Sequence, residues 1–267
     1  MCATCGCSPH LADHGHSLPH GEEHAHSHAA EPIRITRDAS SVRLEHDVLA
    51  RNDHLAGHNR AWLRARGIVA LNLVSSPGAG KTTLLERTLR DLAGEIPISV
   101  VEGDQETSRD AERIRAAGGR AIQVNTGTGC HLDARMIARA VAALAPPERS
   151  VLMIENVGNL VCPALFDLGE HAKVVIASVT EGDDKPLKYP HMFRASEVAL
   201  LNKTDLLPHV EFALDRWVEL ARRVRPDIVV IPLSATRGDG LEAWYAWLRA
   251  RISRGWLEVD RAEGPVS

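Results

Sequence analysis

The sequence has no excess of basic charge. Its 31 Lys and Arg stand against 35 Asp and Glu, a formal net charge of −4. General nucleic-acid binders carry a basic patch or stripe, so that class is not expected. Also missing is any apolar run long enough to span a bilayer, and no signal-peptide hydrophobic region opens the chain. A soluble, cytoplasmic protein that binds no membrane is therefore expected. Cysteine is scarce and uneven: Cys2, Cys5 and Cys7 crowd the N-terminus, while Cys130 and Cys162 stand alone. In a reducing compartment such clusters are more often metal ligands than disulfides. What is present is a 44% apolar content over 267 residues, enough for a sizeable core in one large or two modest domains.

The chain is organised around Leu71-Asn72-Leu73-Val74-Ser75-Ser76-Pro77-Gly78-Ala79-Gly80-Lys81-Thr82-Thr83. The apolar run Ile68 to Val74 reads as a buried strand. A Gly/Pro loop follows, and Lys81-Thr82-Thr83 opens a helical pattern. Strand, loop and helix in this order form a phosphate-binding P-loop, although Ser75 stands where the first glycine is usual. Backbone N–H groups from Gly78 to Thr83 can cradle phosphate oxygens at a helix N-terminus. Lys81 would reach the β- and γ-phosphates, and the Thr82 hydroxyl would hold Mg²⁺. The competing interpretation is an ordinary Gly-rich strand-to-helix turn.

Residues 1–40 are expected to be a separate, disordered metal-binding tail. They carry His10, His14, His16, His20, His24, His26 and His28 and show no apolar period. Imidazole and thiolate suit Ni²⁺, Cu and Zn²⁺. In Cys2-Ala3-Thr4-Cys5-Gly6-Cys7 three thiols can close on one ion, in square-planar or tetrahedral geometry. Residues 41–267 are expected to form one α/β domain, opened by a helix from Ser41 to about Arg66. Leu44, Val48, Leu55 and Trp62 should share one face of that helix. His46, His54 and His58 on it are read as solvated or packed. Strands are expected at 96–101, 120–124, 151–154, 172–179, 198–201 and 228–233, with helices at 106–117, 134–144 and 238–252 between and after them. This alternation predicts a mostly parallel, doubly wound sheet.

Asn202-Lys203-Thr204-Asp205 follows the strand at 198–201 and selects guanine. The Asp205 carboxylate can accept from N1–H and the exocyclic amine of guanine, a donor pair that adenine lacks. Asn202 would brace the pocket and the Lys203 stem would lie over the base. Ser234-Ala235-Thr236 fits the loop that meets guanine O6 through backbone N–H. Glu155-Asn156-Val157-Gly158 occupies the place of a second GTPase switch. There Glu155 can hold Mg²⁺ through water, and the Gly158 N–H can meet the γ-phosphate. Asp104 is either a first-switch acid near Mg²⁺ or the N-cap of the next helix. Cys130-His131 and Cys162 leave the same sheet edge, and two thiols with one imidazole make an incomplete tetrahedral metal site. The alternative for these cysteines is simple apolar burial.

These motifs resemble the HypB family, the nickel-incorporation GTPases of [NiFe]-hydrogenase maturation. The resemblance covers nearly the full length. It rests on C-x-x-C-G-C at 2–7, the His-rich tail, S-S-P-G-A-G-K-T-T, E-G-D-Q at 102–105 and G-C-H-L-D at 129–133. It also rests on E-N-V-G-N-L-V-C-P at 155–163, E-G-D-D-K-P-L-K-Y-P at 181–190 and N-K-T-D. Related urease-maturation GTPases share the P-loop class but carry Cys-Pro-His in place of Cys130-His131 and lack a cysteine after the second switch. The resemblance implies a slow GTPase that dimerises with GTP and delivers nickel to the hydrogenase large-subunit precursor. It implies a tight nickel site at Cys2, Cys5 and Cys7, and a Ni²⁺ or Zn²⁺ site at Cys130, His131 and Cys162 near the dimer contact. The implied partners are a nickel- and zinc-binding maturation factor and a nickel-storing chaperone. Two rival classes remain: a metabolic P-loop kinase would need neither N-K-x-D nor the cysteines, and a metal-storage protein would leave the whole nucleotide motif set idle.

Overall fold

The computed structural model describes residues 39–104, 109–127 and 129–263. Cys2, Cys5, Cys7 and the seven tail histidines, with the expectation of disorder over 1–40, lie outside the described residues. So does the start of the helix expected at 106–117.

Seven strands form one sheet: β1 Val69–Ser75, β2 Ile98–Asp104, β3 Arg120–Asn125, β4 Val151–Glu155, β5 Ala172–Ser178, β6 Val198–Asn202 and β7 Val229–Pro232. Their order is β3-β2-β4-β1-β5-β6-β7, and every pairing is parallel. The helices are α1 Ala39–Ala65, α2 Lys81–Asp91, α3 Arg109–Ala116, α4 Ala134–Leu144 and α5 Cys162–Leu165. They continue with α6 Lys185–Lys188, α7 Pro190–Ala195, α8 Leu214–Val224 and α9 Leu241–Glu263. An all-parallel sheet must be covered on both faces, so its central strands are largely apolar. β1 is buried at all seven positions.

Period-2 alternation divides β1 between two layers. Val69, Leu71 and Leu73 pack with Leu84, Leu85 and Leu89 of α2 and Trp244 and Leu248 of α9. Ala70 faces the other side, with Leu63 of α1 and Ile137 and Val141 of α4. Val74 packs on that side with Phe193 of α7 and Trp217 of α8. The closing helix is tied to the phosphate-loop helix by hydrogen bonds as well: Trp244 Nε1 donates to Thr88 Oγ1 at 3.0 Å and Tyr245 Oη to Asp91 Oδ2 at 2.8 Å. This doubly wound architecture is the one the βα alternation predicts, and it carries the P-loop on the central strand.

The face of α1 turned to the protein differs from the expected one. Val48 is 47% exposed, and Leu55 and Trp62 are only half-buried. The buried stripe is Asn52, Ala56, Asn59 and Leu63. Its two amides explain the shift, because they satisfy backbone groups that α1 covers. Asn52 Oδ1 accepts from Ala134 N at 2.9 Å, and Asn59 Nδ2 donates to the carbonyls of Ala134 and Leu168 at 2.8 and 3.0 Å. Gly169, at φ +89°, permits the close approach: a Cβ there would lie 2.6 Å from Asn59 Cβ.

Candidate nucleotide and metal site

A cleft of about 630 Å³ opens at the C-terminal edge of the sheet, between Ser75–Thr83 and the ends of β2 and β4. Ligands of open α/β sheets bind at this edge, where the strand order reverses around β1. The loop is shaped by Gly78 and Gly80, at φ +75° and +91°, values that L side chains rarely adopt. Gly80 has a second constraint, since a Cβ would fall 2.5 Å from Asn202 Nδ2. Gly80 caps α2 without any side-chain hydrogen bond, so the first-turn N–H groups of α2 point into the cleft. Ser75, in the place of the usual glycine, ends β1 buried, with its Oγ on Ser76 O at 2.8 Å.

Lys81 and Thr82 converge on one carboxylate. Glu155 Oε1 lies 3.3 Å from Lys81 Nζ and accepts from Thr82 Oγ1 at 2.6 Å. Thr82 Oγ1 also lies 3.2 Å from Asp110 Oδ2. Register sets Glu102 of β2 directly beside Glu155 of β4. Burial, first, and then the neighbouring Glu155, Asp104 and Asp110 charges push the Glu102 carboxyl up to about 8. One oxygen of each glutamate, Glu102 Oε2 and Glu155 Oε2, is buried without a hydrogen-bond partner. Asp104 is the last residue of β2 and lines the cleft, and residues 105–108, between it and α3, lie outside the described residues. Gly158 meets the phosphate loop directly: a Cβ there would lie 3.1–3.2 Å from Pro77 atoms.

The other end of the cleft is closed by the N-K-x-D loop. Asn202 Nδ2 donates to Ala79 O at 2.9 Å, and Asn202 Oδ1 accepts from Lys203 N and Ala235 N at 2.8 and 3.1 Å. Lys203, at φ +63°, reaches Gly78 O with its Nζ at 2.7 Å. Ser234 Oγ donates to Asp205 Oδ1 at 2.6 Å and accepts from Arg237 N at 3.1 Å. Asn202, Lys203, Asp205, Ser234 and Ala235 are thus brought together. Of the backbone donors in the Ser234-Ala235-Thr236 loop, the Ala235 N–H is bonded to Asn202 Oδ1.

The thiol–imidazole set also assembles. Donor atoms of Cys130, His131 and Cys162 all lie within 4.8 Å of one another. The Cys130 and Cys162 sulfurs are 3.0 Å apart, and neither is in a disulfide. Cys130 Sγ is 3.6 Å from His131 Nδ1. The imidazole lies against Phe166, ring centroids 3.9 Å apart, and burial lowers its pKa against the opposing pull of Asp133. Burial, the larger effect, favours the neutral ring, the form that ligates metals. Cys130 lines the same cleft as Lys81, Glu155 and Gly158.

Asn156 connects the two halves. Its Oδ1 accepts from Val157 N at 3.0 Å, next to Gly158, and from Leu132 N at 3.2 Å, next to His131. Its Nδ2 donates to Asn72 Oδ1 at 3.1 Å, and Asn72 Nδ2 in turn donates to Glu170 Oε1 at 3.2 Å. Gly103 makes a parallel contact, since a Cβ there would overlap the Leu132 side chain at 2.8 Å.

Sequence reasoning assigned no role to Glu102, Asp110, Arg113, Asn72 or Asn156. Glu102 was open to detection, because alternation along β2 puts it on the same face as Asp104. Asp110 and Arg113, paired at 3.1 Å, line the cleft but sit on a helix whose place over it is a tertiary fact. The motif E-G-D-D-K-P-L-K-Y-P proves to build local structure. Ser178 and Glu181 form a capping box, and Lys185 Nζ pairs with Glu181 Oε1 at 2.8 Å.

A phosphate loop on the central strand of an all-parallel sheet, with a thiol–imidazole cluster at its phosphate end, defines a P-loop nucleotide-binding protein of metal-handling type. The profile of the CobW/HypB/UreG nucleotide-binding domain matches residues 69–232. Hydrogenase maturation factor HypB of Rhizobium leguminosarum bv. viciae is 56% identical over 213 residues, covering 80% of this chain and 71% of that protein. The HypB structure from Archaeoglobus fulgidus superposes with a TM-score of 0.72 at 39% identity, over 76% of this chain and 99% of that one. HypB from Helicobacter pylori in complex with nickel gives a TM-score of 0.72 at 38% identity, over 76% and 96% of the two chains. The chain belongs to the HypB family of hydrogenase maturation factors.

Proposed function

We propose that the protein hydrolyses GTP to GDP and phosphate and uses this cycle to hand nickel to the [NiFe]-hydrogenase large-subunit precursor in the cytoplasm. The observation that carries this reading is the Cys130–His131–Cys162 cluster at the phosphate end of the nucleotide cleft. Two thiols and an imidazole suit Ni²⁺ or Zn²⁺, with the remaining coordination position open to a second subunit or the acceptor protein. The nickel complex of the Helicobacter pylori relative is consistent with this cargo.

Gly78 to Thr83 would hold the phosphates through backbone N–H groups, and Lys81 would exchange Glu155 for the β- and γ-phosphates. Asp205 would accept from the guanine edge, held in place by Ser234, while Asn202 and Ala235 brace the loop. The buried, unpartnered oxygens of Glu102 and Glu155 fit a cation there. Thr82, Asp104 and Glu155 would hold Mg²⁺, which supplies neutralising charge at the phosphates. Gly158 would sense the γ-phosphate, and Asn156 would pass its displacement to the loop of Cys130 and His131. Cys2, Cys5 and Cys7 would form a separate nickel site. The expected partners are a second copy bound with GTP, a nickel- and zinc-binding maturation factor, and a nickel-storing chaperone. Phosphate release from GTP and from ATP tests the reading: GTP turnover that Lys81→Ala abolishes supports it, and a preference for ATP contradicts it.

A further inference from the structure

We propose that His54 and His58 form a further divalent-metal site on the outer face of α1, separate from the cysteine cluster. The two residues are four apart on a helix, so their side chains stand on one face, one turn from each other. Both are exposed. Their Nε2 atoms are 3.2 Å apart, with ring centroids at 4.7 Å and an interplanar angle of 81°. The rings thus turn their Nε2 edges toward one another.

That separation matches a chelate. With metal–nitrogen bonds of about 2.0–2.1 Å, two imidazole donors on one ion lie about 2.9–3.4 Å apart for bond angles between square and tetrahedral. Paired helix histidines at this spacing are an established way to bind Zn²⁺. Without metal, one Nε2–H can donate to the other ring, an exposed hydrogen bond for which water competes. An ion replaces that hydrogen bond with two bonds. The donor ring shifts its remaining proton to Nδ1, so both Nε2 lone pairs are available and no change of charge on the rings is needed. The nearby Arg60 cation does not oppose this, since its guanidinium pairs with Asp167 at 2.6 Å. Imidazole donors select Ni²⁺, Cu²⁺ or Zn²⁺ over Mg²⁺ or Ca²⁺.

The position gives the site a role. α1, Ala39–Ala65, follows in sequence the stretch that carries the seven tail histidines, the last of them His28. The opposite face of the same helix holds the backbone at Ala134 through Asn52 and Asn59, three residues beyond His131. A metal clamp across His54 and His58 therefore lies on the helix that joins the two metal-ligand segments, and it ties one turn of that helix together.

The test uses the full-length protein and hydrogen–deuterium exchange read on α1 peptides, which isolates this site from metal held by the tail. Zn²⁺ is added in excess of all other ligands. At free Zn²⁺ about a hundred times the dissociation constant, amides whose exchange requires the clamp to open should slow by about a hundredfold. EDTA should reverse the effect, His46→Ala should retain it, and His54→Ala and His58→Ala should each lose it. Both positions are exposed, so neither change disturbs the core. No slowing in the wild-type protein, or slowing that survives His54→Ala and His58→Ala, overturns the proposal.

Discussion

The two ends of the nucleotide cleft are built on opposite principles. At the base end, the polar side chains are tied down. Asn202 bonds Ala79, Lys203 and Ala235, the Lys203 ammonium sits on Gly78 O, and Ser234 holds Asp205. At the phosphate end, Glu102 and Glu155 stand side by side on adjacent strands, each with a buried oxygen that no donor reaches. The first arrangement is preorganised for recognition, since little has to move when a base arrives. The second holds negative charge in a poorly solvated place, offset by Lys81, and a cation would have to take over that role when Lys81 turns to the phosphates. Selectivity is thus expected to be rigid and set at one end, while response to ligand state is expected at the other, where Asn156 bonds both Val157 N and Leu132 N.

Breaking the base end should produce the largest change. Asp205→Asn replaces an acceptor with a donor, which suits a base carbonyl at the position of the guanine amine. The preference for GTP over XTP should reverse, by on the order of 10⁴-fold in the ratio of affinities. Competitive nucleotide binding measures this, and an unchanged ratio would remove Asp205 from the pocket. At the phosphate end, Lys81→Ala should lower the rate of GTP hydrolysis by at least about 10²–10³-fold. Metal binding by the tail should survive, because the tail ligands and the P-loop lie in separate segments. Phosphate release and nickel stoichiometry read the two outcomes separately, and loss of tail nickel in this variant would mean that the segments depend on each other.

A smaller effect sharpens the contrast by pH. The Glu102 carboxyl is raised to about 8 from an ordinary 4.5. It is therefore protonated in the folded protein where the unfolded chain is already ionised. Its contribution is full below about 4.5 and is lost as pH rises through about 8. Denaturation of the nucleotide-free protein should show stability falling across that window, and Glu102→Gln should flatten the slope. An equal slope in the variant would show that the carboxylate is solvated. The base end supplies the control, since Ser234→Ala should leave the slope unchanged.

Much of this was legible because P-loops, N-K-x-D loops and parallel strands are local patterns. Ile68 to Val74 is a continuous apolar run, and Gly80-Lys81-Thr82 can hardly be read otherwise in front of a helix. The grouping of Cys130, His131 and Cys162 was also accessible, because both segments follow strands that end at the same edge. The face of α1 was not. Asn52 and Asn59 are polar, and the apolar period points elsewhere. They are buried because the backbone at Ala134 and Leu168 needs partners, a requirement that only the tertiary structure creates. The same holds for Asn72, a polar residue in the middle of the central strand whose partners, Asn156 and Glu170, are 84 and 98 residues away. Convergence of His54 and His58 depended on side-chain rotamers, which spacing alone leaves open.

The Asn156–Gly158 segment is expected to couple the nucleotide to the cysteine–histidine cluster, because Asn156 bonds both Val157 N and Leu132 N. Linkage then makes their coupling reciprocal. The most direct measurement is the affinity for GDP and for a non-hydrolysable GTP analogue, each with and without saturating Ni²⁺, in the full-length protein and in Cys162→Ala. Nickel should change the ratio of the two affinities by about 5–150-fold, the range of typical coupling, and Cys162→Ala should abolish that change. A ratio indifferent to nickel, or a nickel effect that persists in Cys162→Ala, would contradict the account and leave the cluster as a static site.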